Sequence, residues 1–279
     1  MTIAENAVVH PMAVVEPGAT IGVGARIGPF CTVSGQAVIG AGVELISHVA
    51  VMGATTIGDG CRIFPGAVLG ADPQNLKHKG GPSTLTIGRN CTIHEGVTLH
   101  RGTDVSRAAT TIGDDCYLMA YSHVAHDCSI GNKVTMANGA TLGGHCEVGN
   151  GVTIGGLTAV HQFVRIGDRA FIGGCSAVVG DVIPYAMAAG NRAKLRGFNI
   201  IGMRRAGVDR ATIHAMREAY RRIFDPSRPI AENLADAAKA YADSPEVMSI
   251  VEFMSSRGKR SFTVPPLRSN GDDGQDDEI

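Results

Sequence analysis

Residues 120–132 read AYSHVAHDCSIGN. Two histidines three apart, His123 and His126, and Asp127 beside the second are residue types suited to proton transfer. An imidazole with its ordinary pKa of about 6.5 accepts a proton at neutral pH. A carboxylate next to it fixes the ring tautomer and steadies the imidazolium. The same types also hold metals or simply decorate a surface. A helix would place His123 and His126 on one face; a strand would place them on opposite faces. The chemistry of the stretch therefore depends on the element that carries it.

That element belongs to a repeat of six. Val9, Val15, Ile21, Ile27, Val33, Ile39, Leu45, Val51, Ile57, Ile63 and Leu69 follow one another without a miss. The register returns at Ile87, Ile93 and Leu99, shifts by one residue, and runs from Ile112 through Val124, Ile130 and Leu142 to Val178. Two residues before each aliphatic stands a small or β-branched residue, as at Ala19, Ala25 and Cys31, and glycine commonly follows it. This period belongs neither to a helix nor to a simple alternating strand. It fits a short strand ending in a turn, with positions i and i−2 inward and i−1 outward. Three such units close a triangular coil of 18 residues, and stacked coils make a parallel β-helix. The expected fold is mainly β: a parallel β-helix over 1–189, a small helical domain over 190–258, and a disordered acidic tail over 259–279. Residues 71–85 and 100–110 interrupt the hexads and read as loops leaving the prism, where function often sits. In the helical part, Asp209 is expected to cap a helix burying Ile213, Met216, Tyr220, Ile223 and Phe224. Ser244-Pro245 is expected to start another.

Composition narrows the function. Across 279 residues the net charge is −1, so no global field draws the chain to nucleic acid. No apolar run is long enough for a transmembrane segment, and the N-terminus lacks a signal-peptide pattern. A cytoplasmic location is expected. Six of the seven cysteines occupy the inward i−2 slot and only Cys175 does not. They read as small core residues, expected reduced, although Cys128 and Cys146 lie one coil apart. There is no CxxC, so no structural zinc site is expected.

The repeat answers part of the opening question. Val124 points inward, which puts His123 outward, His126 on a corner and Asp127 outward again. Adding 18 stacks His126 under Gly144 and Gln162, Asp127 under His145 and Phe163, and Ala125 under Gly143 and His161. His123, His126, Asp127, His145, His161 and Gln162 thus gather on one edge across three coils. A base, a carboxylate and a glycine N–H facing a developing oxyanion suit acyl transfer to a hydroxyl or an amine. Ser122 and Cys128 point inward, so direct attack by the acceptor is expected rather than an acyl-enzyme.

The blocks TLHRGT (98–103), SHVAHDC (122–128), GGLTAVHQF (155–163), IGGCSAV (172–178) and GNRAKLRGFNIIGMRRAG (190–207) together resemble the bacterial UDP-N-acetylglucosamine acyltransferases of lipid A synthesis. The resemblance covers nearly the whole chain. It implies a left-handed β-helix, a homotrimer with sites between subunits, and transfer of a 3-hydroxyacyl chain from acyl carrier protein to the sugar 3-position. No cofactor or metal of the enzyme's own is implied, since the acyl donor rides on the carrier's phosphopantetheine. By the same resemblance, His126 is the general base, Asp127 its partner and Gly144 the oxyanion donor. Asn75, Lys77, His123, His145, His161, Gln162, Asn199 and Arg205 are substrate-contacting positions. Gly174 occupies the place whose size gates acyl length, and glycine there leaves room for a long chain. The basic residues from Arg192 to Arg222 suit an acidic carrier protein.

Three positions depart from the family pattern. Asn75 stands where Asp is common, Ile201 where Glu is common, and Ala206 where a second Arg is common. They leave open whether the acceptor's 3-substituent is a hydroxyl or an amine. Two rivals stand beside this reading. The related acyltransferase acting on a 2-amine carries an extra N-terminal uridine-binding domain, whereas hexads here begin at Val9. A β-helical zinc carbonic anhydrase needs three converging histidines. His123, His126 and His145 could be imagined so, but an HxxxxH spacing is missing.

Overall fold

The computed structural model describes residues 2–256 and 258–266. Short strands, mostly of two residues, form three sheets of 9, 11 and 9 strands in which every third strand is a neighbour. All pairings within the repeat are parallel, from Thr2↔Thr20 to Ala159↔Ala177. The hexads are thus a left-handed parallel β-helix. The pairing offset is 18 residues at Ile39↔Ile57, rises to 30 at Ile57↔Ile87, and is 25 at Ile87↔Ile112. The two excesses are the loops expected from the broken hexads. The first leaves after the strand Val68–Ala71 and returns at Thr84–Ile87; the second leaves after Thr98–His100 and returns at Ala109–Ile112.

The alternation of each strand decides which side chains make the core. Ile21, Ile39, Ile57, Ile87 and Leu118 are 1% exposed or less, and so are the i−2 residues Ala19, Cys31, Cys61, Cys91 and Cys116. Burying each branched aliphatic contributes about 1.5–3 kcal/mol. The small i−2 residue at the corner leaves room for it. All seven cysteines are free thiols, six buried and Cys175 exposed, so Cys128 and Cys146 pack without a bridge.

The upper end of the prism is closed by an antiparallel pair, Ala186–Ala189 with Lys194–Phe198. The boundary expected at 189/190 therefore falls inside a hairpin, and sheet continues to Phe198. Helices follow: α1 (Ile200–Arg205), α2 (Arg210–Ile223), α3 (Ile230–Ala240) and α4 (Pro245–Ser255). Asp209 caps α2 as expected, accepting from the Thr212 N–H at 2.9 Å. Ile213, Met216, Ala219 and Ile223 form its buried stripe, with Tyr220 and Phe224 packed beside them. Ser244 stands at the N-cap of α4, before Pro245, but its side chain makes no capping hydrogen bond. Arg165 ties α4 to the prism. Its Nε donates to the fully buried Asp181 at 2.7 Å, and its other nitrogens reach Ser256 Oγ and the Phe253 carbonyl. Among the described residues no helix is long and apolar enough to cross a membrane.

The expected disordered tail needs correction for its first part. Residues 259–266 run along the upper coils, where Phe262 bridges Asp181 and Thr263 is buried. Residues 267–279 lie outside the described residues.

Candidate active site

The strands His123–Val124 and Ser129–Ile130 are joined by a corner carrying His126 and Asp127. Asp127 has φ +60°, and His145 and Phe163 above it have φ +62° and +66°. The column stacks as the 18-residue period requires, with the His145 ring on the Phe163 ring at 4.4 Å and 10°. Left-handed backbone costs a non-glycine residue roughly 1–2 kcal/mol; here it bends the chain so that each side chain leaves the corner in the same direction.

One feature at this corner is not in the hexads. Asp127 leaves the outer face as expected, but it is fully buried there. The loop after His100 folds over it. The Thr103 N–H and Oγ1 both donate to its carboxylate, the latter at 2.7 Å, and its own N–H donates to Thr110 Oγ1 at 2.8 Å. Hexad arithmetic could not see this lid, because the loop is an excursion from the repeat. Burial by itself would raise the Asp127 pKa. Hydrogen bonds from Thr103 and His126, with the nearby His145, outweigh it and hold the carboxyl below its ordinary value.

Asp127 Oδ2 in turn accepts from His126 Nδ1 at 2.8 Å. With Nδ1 protonated for that bond, Nε2 of the neutral ring is a lone pair. It faces Asn75 Nδ2 at 3.3 Å. Asn75 is oriented by its neighbour in the first loop, since its Oδ1 accepts the Lys77 N–H at 2.9 Å. The amide therefore presents its N–H to His126, where a carboxylate would present an acceptor. The ring lies over Gly144. A β-carbon added there would sit 2.6 Å from His126 Cε1 and 2.9 Å from Nε2, so glycine is what lets the imidazole occupy this place. The Gly144 carbonyl accepts the Phe163 N–H, while its own N–H has no hydrogen-bond partner among the described residues.

Other histidines surround the dyad. His145 meets His126 edge-on at 5.1 Å between ring centres. Burial lowers its pKa, opposed by Asp127 and reinforced by His126, Lys259 and Arg107. His123 shares a 2.7 Å hydrogen bond with Thr98 Oγ1. Burial, with His100 and His126 nearby, depresses its pKa to about 4. His123 is therefore neutral at pH 7. His161 and Gln162 sit one coil above Gly144 and His145, two above His126, and are both exposed. Gly174 lies above Gly156, whose carbonyl oxygen would be 3.2 Å from an added β-carbon.

The corner thus brings together Asn75, His123, His126, Asp127, Gly144 and His145. It does not bring every expected residue. Lys77 joins only through its backbone, with its side chain exposed. Asn199 caps α1 through Gly202 and donates to the Arg169 carbonyl, and Arg205 is exposed in the last turn of α1. Among the described residues neither hydrogen-bonds to the histidines. Sequence reasoning missed Thr103, His100 and the pair His78–Asp104. His100 packs edge-on against His123 at 5.2 Å, and both it and Thr103 lie in the quoted TLHRGT block. His78 Nδ1 meets Asp104 at 3.0 Å and joins the two loops; its only sequence signal was its place in an interruption.

His126, Asp127 and His145 also offer ligand atoms within 4.8 Å of one another, as a metal site would. The Asp127 oxygen involved already accepts from Thr103 and His126. The arrangement is that of an imidazole held by a buried carboxylate. A cavity of about 520 Å³ opens beside His145, bounded by Ser106, Arg107, Phe163 and Lys259.

The chain is similar to known proteins over nearly its whole length. Residues 181–263 match the second domain of the family described as UDP N-acetylglucosamine O-acyltransferase, and residues 109–144 match the bacterial transferase hexapeptide repeat. A Mesorhizobium japonicum protein named acyl-[acyl-carrier-protein]–UDP-N-acetylglucosamine O-acyltransferase is 63% identical, over 97% of each chain. A Bartonella henselae protein of the same name is 53% identical, over 94% of this chain and 96% of its own. The structure of UDP-N-acetylglucosamine acyltransferase from Campylobacter jejuni superposes with a TM-score of 0.87 at 37% identity, covering 92% of this chain and all of that one. That of UDP-N-acetylglucosamine O-acyltransferase from Moraxella catarrhalis gives 0.88 at 39%, covering 91% and 99%.

Proposed function

This chain belongs to the UDP-N-acetylglucosamine O-acyltransferase family, and from that membership we propose that it moves a 3-hydroxyacyl chain from acyl carrier protein to the 3-position of UDP-N-acetylglucosamine. The observation that carries the mechanism is the 2.8 Å contact of His126 Nδ1 with the buried Asp127, which assigns the ring proton to Nδ1 and leaves Nε2 as a lone pair facing the Asn75 amide. The acceptor's 3-hydroxyl attacks the thioester carbonyl as His126 Nε2 takes its proton. The carbonyl oxygen becomes an oxyanion beside the unpartnered Gly144 N–H. Collapse breaks the carbon–sulfur bond, and the proton on His126 passes to the leaving phosphopantetheine sulfur. Asp127 keeps the ring oriented and balances the imidazolium without itself taking the proton.

The cavity beside His145 supports a substrate of nucleotide-sugar size, within the roughly 300–1,000 Å³ of small-molecule sites. The exposed basic residues from Arg192 to Arg222 support docking of an acidic carrier protein. We place Asn199 and Arg205 at the nucleotide end of a site completed by a neighbouring subunit of a homotrimer, and the reaction in the cytoplasm. One observation favours a second acceptor. Asn75 turns an N–H toward the base where a carboxylate is common, so a 3-amino sugar nucleotide, acylated at nitrogen by the same steps, is the alternative.

The test is incubation with 3-hydroxymyristoyl acyl carrier protein and each acceptor, with products read by mass spectrometry. An ester supports O-acylation; product with the amine alone transfers the reading to the amide. His126→Ala is expected to lose roughly 10²–10⁴ in rate. No product with either acceptor, or full activity in that variant, refutes the mechanism.

A further inference from the structure

The segment after α4 is pinned along the top of the prism. Asp181 N–H donates to the Ser261 carbonyl and Thr263 N–H to the Asp181 carbonyl, both at 2.8 Å. Leu195 N–H donates to the Val264 carbonyl, and Thr263 Oγ1 to the Gly180 carbonyl. This strap carries Arg260 to the catalytic edge from 99 residues away in sequence. Arg260 Nε donates to the Gln162 carbonyl at 2.9 Å, and a terminal guanidinium nitrogen lies 2.6 Å from His161 Nδ1.

A guanidinium has only donors and is not deprotonated in proteins. His161 Nδ1 must therefore accept, and the proton of the neutral ring sits on Nε2. Nδ1 also lies 3.2 Å from the Gln162 carbonyl, a contact that would need the proton on Nδ1. One nitrogen cannot do both. The charge-assisted bond is the shorter, and the carbonyl already has Arg260 as its donor. Other charges near the edge reinforce this. Lys259 sits over the neighbouring Phe163 ring at 4.3 Å, and the buried Asp127 is engaged by His126 and Thr103. Among the described residues no carboxylate ion-pairs with His161. The arrangement is the opposite of His126, where Nδ1 donates and Nε2 accepts.

We propose that Arg260 is a positioning residue that locks His161 as a neutral Nε2–H donor toward the bound sugar nucleotide. The edge then holds two histidines in opposite tautomers, one able to take a proton and one able only to give a hydrogen bond. The role of this donor rests on the proposed function; the tautomer does not. Nothing in the hexads marks Arg260, because its reach depends on the path of the strap.

The test uses the full chain labelled with ¹⁵N-histidine, without substrate, its His161 signals identified by their loss in His161→Gln. Long-range nitrogen–proton spectra are expected to show an unprotonated Nδ1 and a protonated Nε2. Arg260→Ala is expected to give averaged tautomers, and Arg260→Lys, which keeps one donor, to retain the wild-type pattern. In kinetics, Arg260→Ala is expected to raise KM for the sugar nucleotide about 3–10-fold, the scale of one lost hydrogen bond, with kcat little changed. A wild-type proton on Nδ1, or an unaltered pattern in Arg260→Ala, overturns the proposal. Released tautomers with unchanged KM overturn its substrate role. Failure of acyl transfer would count against the reaction and leave the spectra standing.

Discussion

Gly144→Ala separates the two duties that meet at this residue. The alanine keeps the backbone N–H, so any oxyanion donation survives. What it adds is a methyl group 2.6 Å from His126 Cε1, 2.9 Å from Nε2 and 3.1 Å from Nδ1. An ordinary contact starts near 3.4 Å, so the imidazole must retreat by about 0.8 Å. It cannot do so and keep its 2.8 Å bond to Asp127, because Thr103 and Thr110 fix that residue on its far side. A displacement of about 1 Å at a reacting group costs up to about 100-fold in rate, or about 2.7 kcal/mol of barrier. Overpacking itself costs about 1–3 kcal/mol of stability, less where the side chain can move toward solvent. We therefore expect kcat to fall roughly 30–100-fold with KM for the acyl donor little changed and a folded protein by circular dichroism. Steady-state transfer with the acyl carrier thioester, at several concentrations of each substrate, measures it. A variant that keeps kcat within twofold would show that the His126 ring position does not set the rate, and the dyad reading would fall.

Three further outcomes are expected. Thr103→Val removes a buried hydrogen bond to an ionised carboxylate, worth about 1.5–3 kcal/mol. It should lower kcat about tenfold and move the acid limb of the pH profile upward, and Thr103→Ser should restore both; an unmoved limb would exclude Thr103 from holding Asp127. Gly174→Met should turn preference toward shorter acyl chains, since a β-carbon already meets the Gly156 carbonyl at 3.2 Å and a longer side chain must project into the groove. Competition among carrier-bound chains of graded length tests this, and an unchanged ranking refutes it. His123 is depressed to about 4 when folded, so the unfolded chain, with its ordinary value near 6.5, binds the proton first as pH falls. Its contribution is intact above about 6.5 and is lost progressively down to about 4, by up to about 3 kcal/mol. Denaturant midpoints of His123→Gln should fall less steeply over that window; parallel curves would contradict the burial argument.

The prism was legible in the sequence because its rule is local. A residue at i faces in, its neighbour faces out, and the same choice recurs every six positions, so Ile21 and Leu118 could be placed with equal ease. The stacking of His126 under Gly144 follows from counting, and the structure adds only how closely they touch. What escaped came from chain that leaves the repeat. The burial of Asp127 escaped because its cover, Thr103, sits in a loop whose path no hexad dictates. Lys77 and Asn75 share a turn, yet which end of the amide faces His126 depends on one backbone bond. Arg260 and residues 259–266 were hidden for the same reason, with acidic composition nearby suggesting a tail where the chain in fact lies against Gly180 and Asp181.

Among the described residues the two ends of the prism differ. The upper end carries the hairpin and the helices, whereas the strands Thr2–Ile3, Val8–Val9 and Val14–Val15 are last in their sheets among the described residues, and their inward Val9 and Val15 are only partly buried. A stack whose layers touch only their neighbours loses order from its free end inward. Amide protection should therefore rise coil by coil from the N-terminus, with fraying confined to the first turns. The corner of His126 adjoins Ser129–Ile130, seventh in its sheet, well away from that free end. Damage to the first coil would be absorbed by local opening. The His126 corner is thus insulated by distance along the axis, and tolerance to substitution should follow the same gradient.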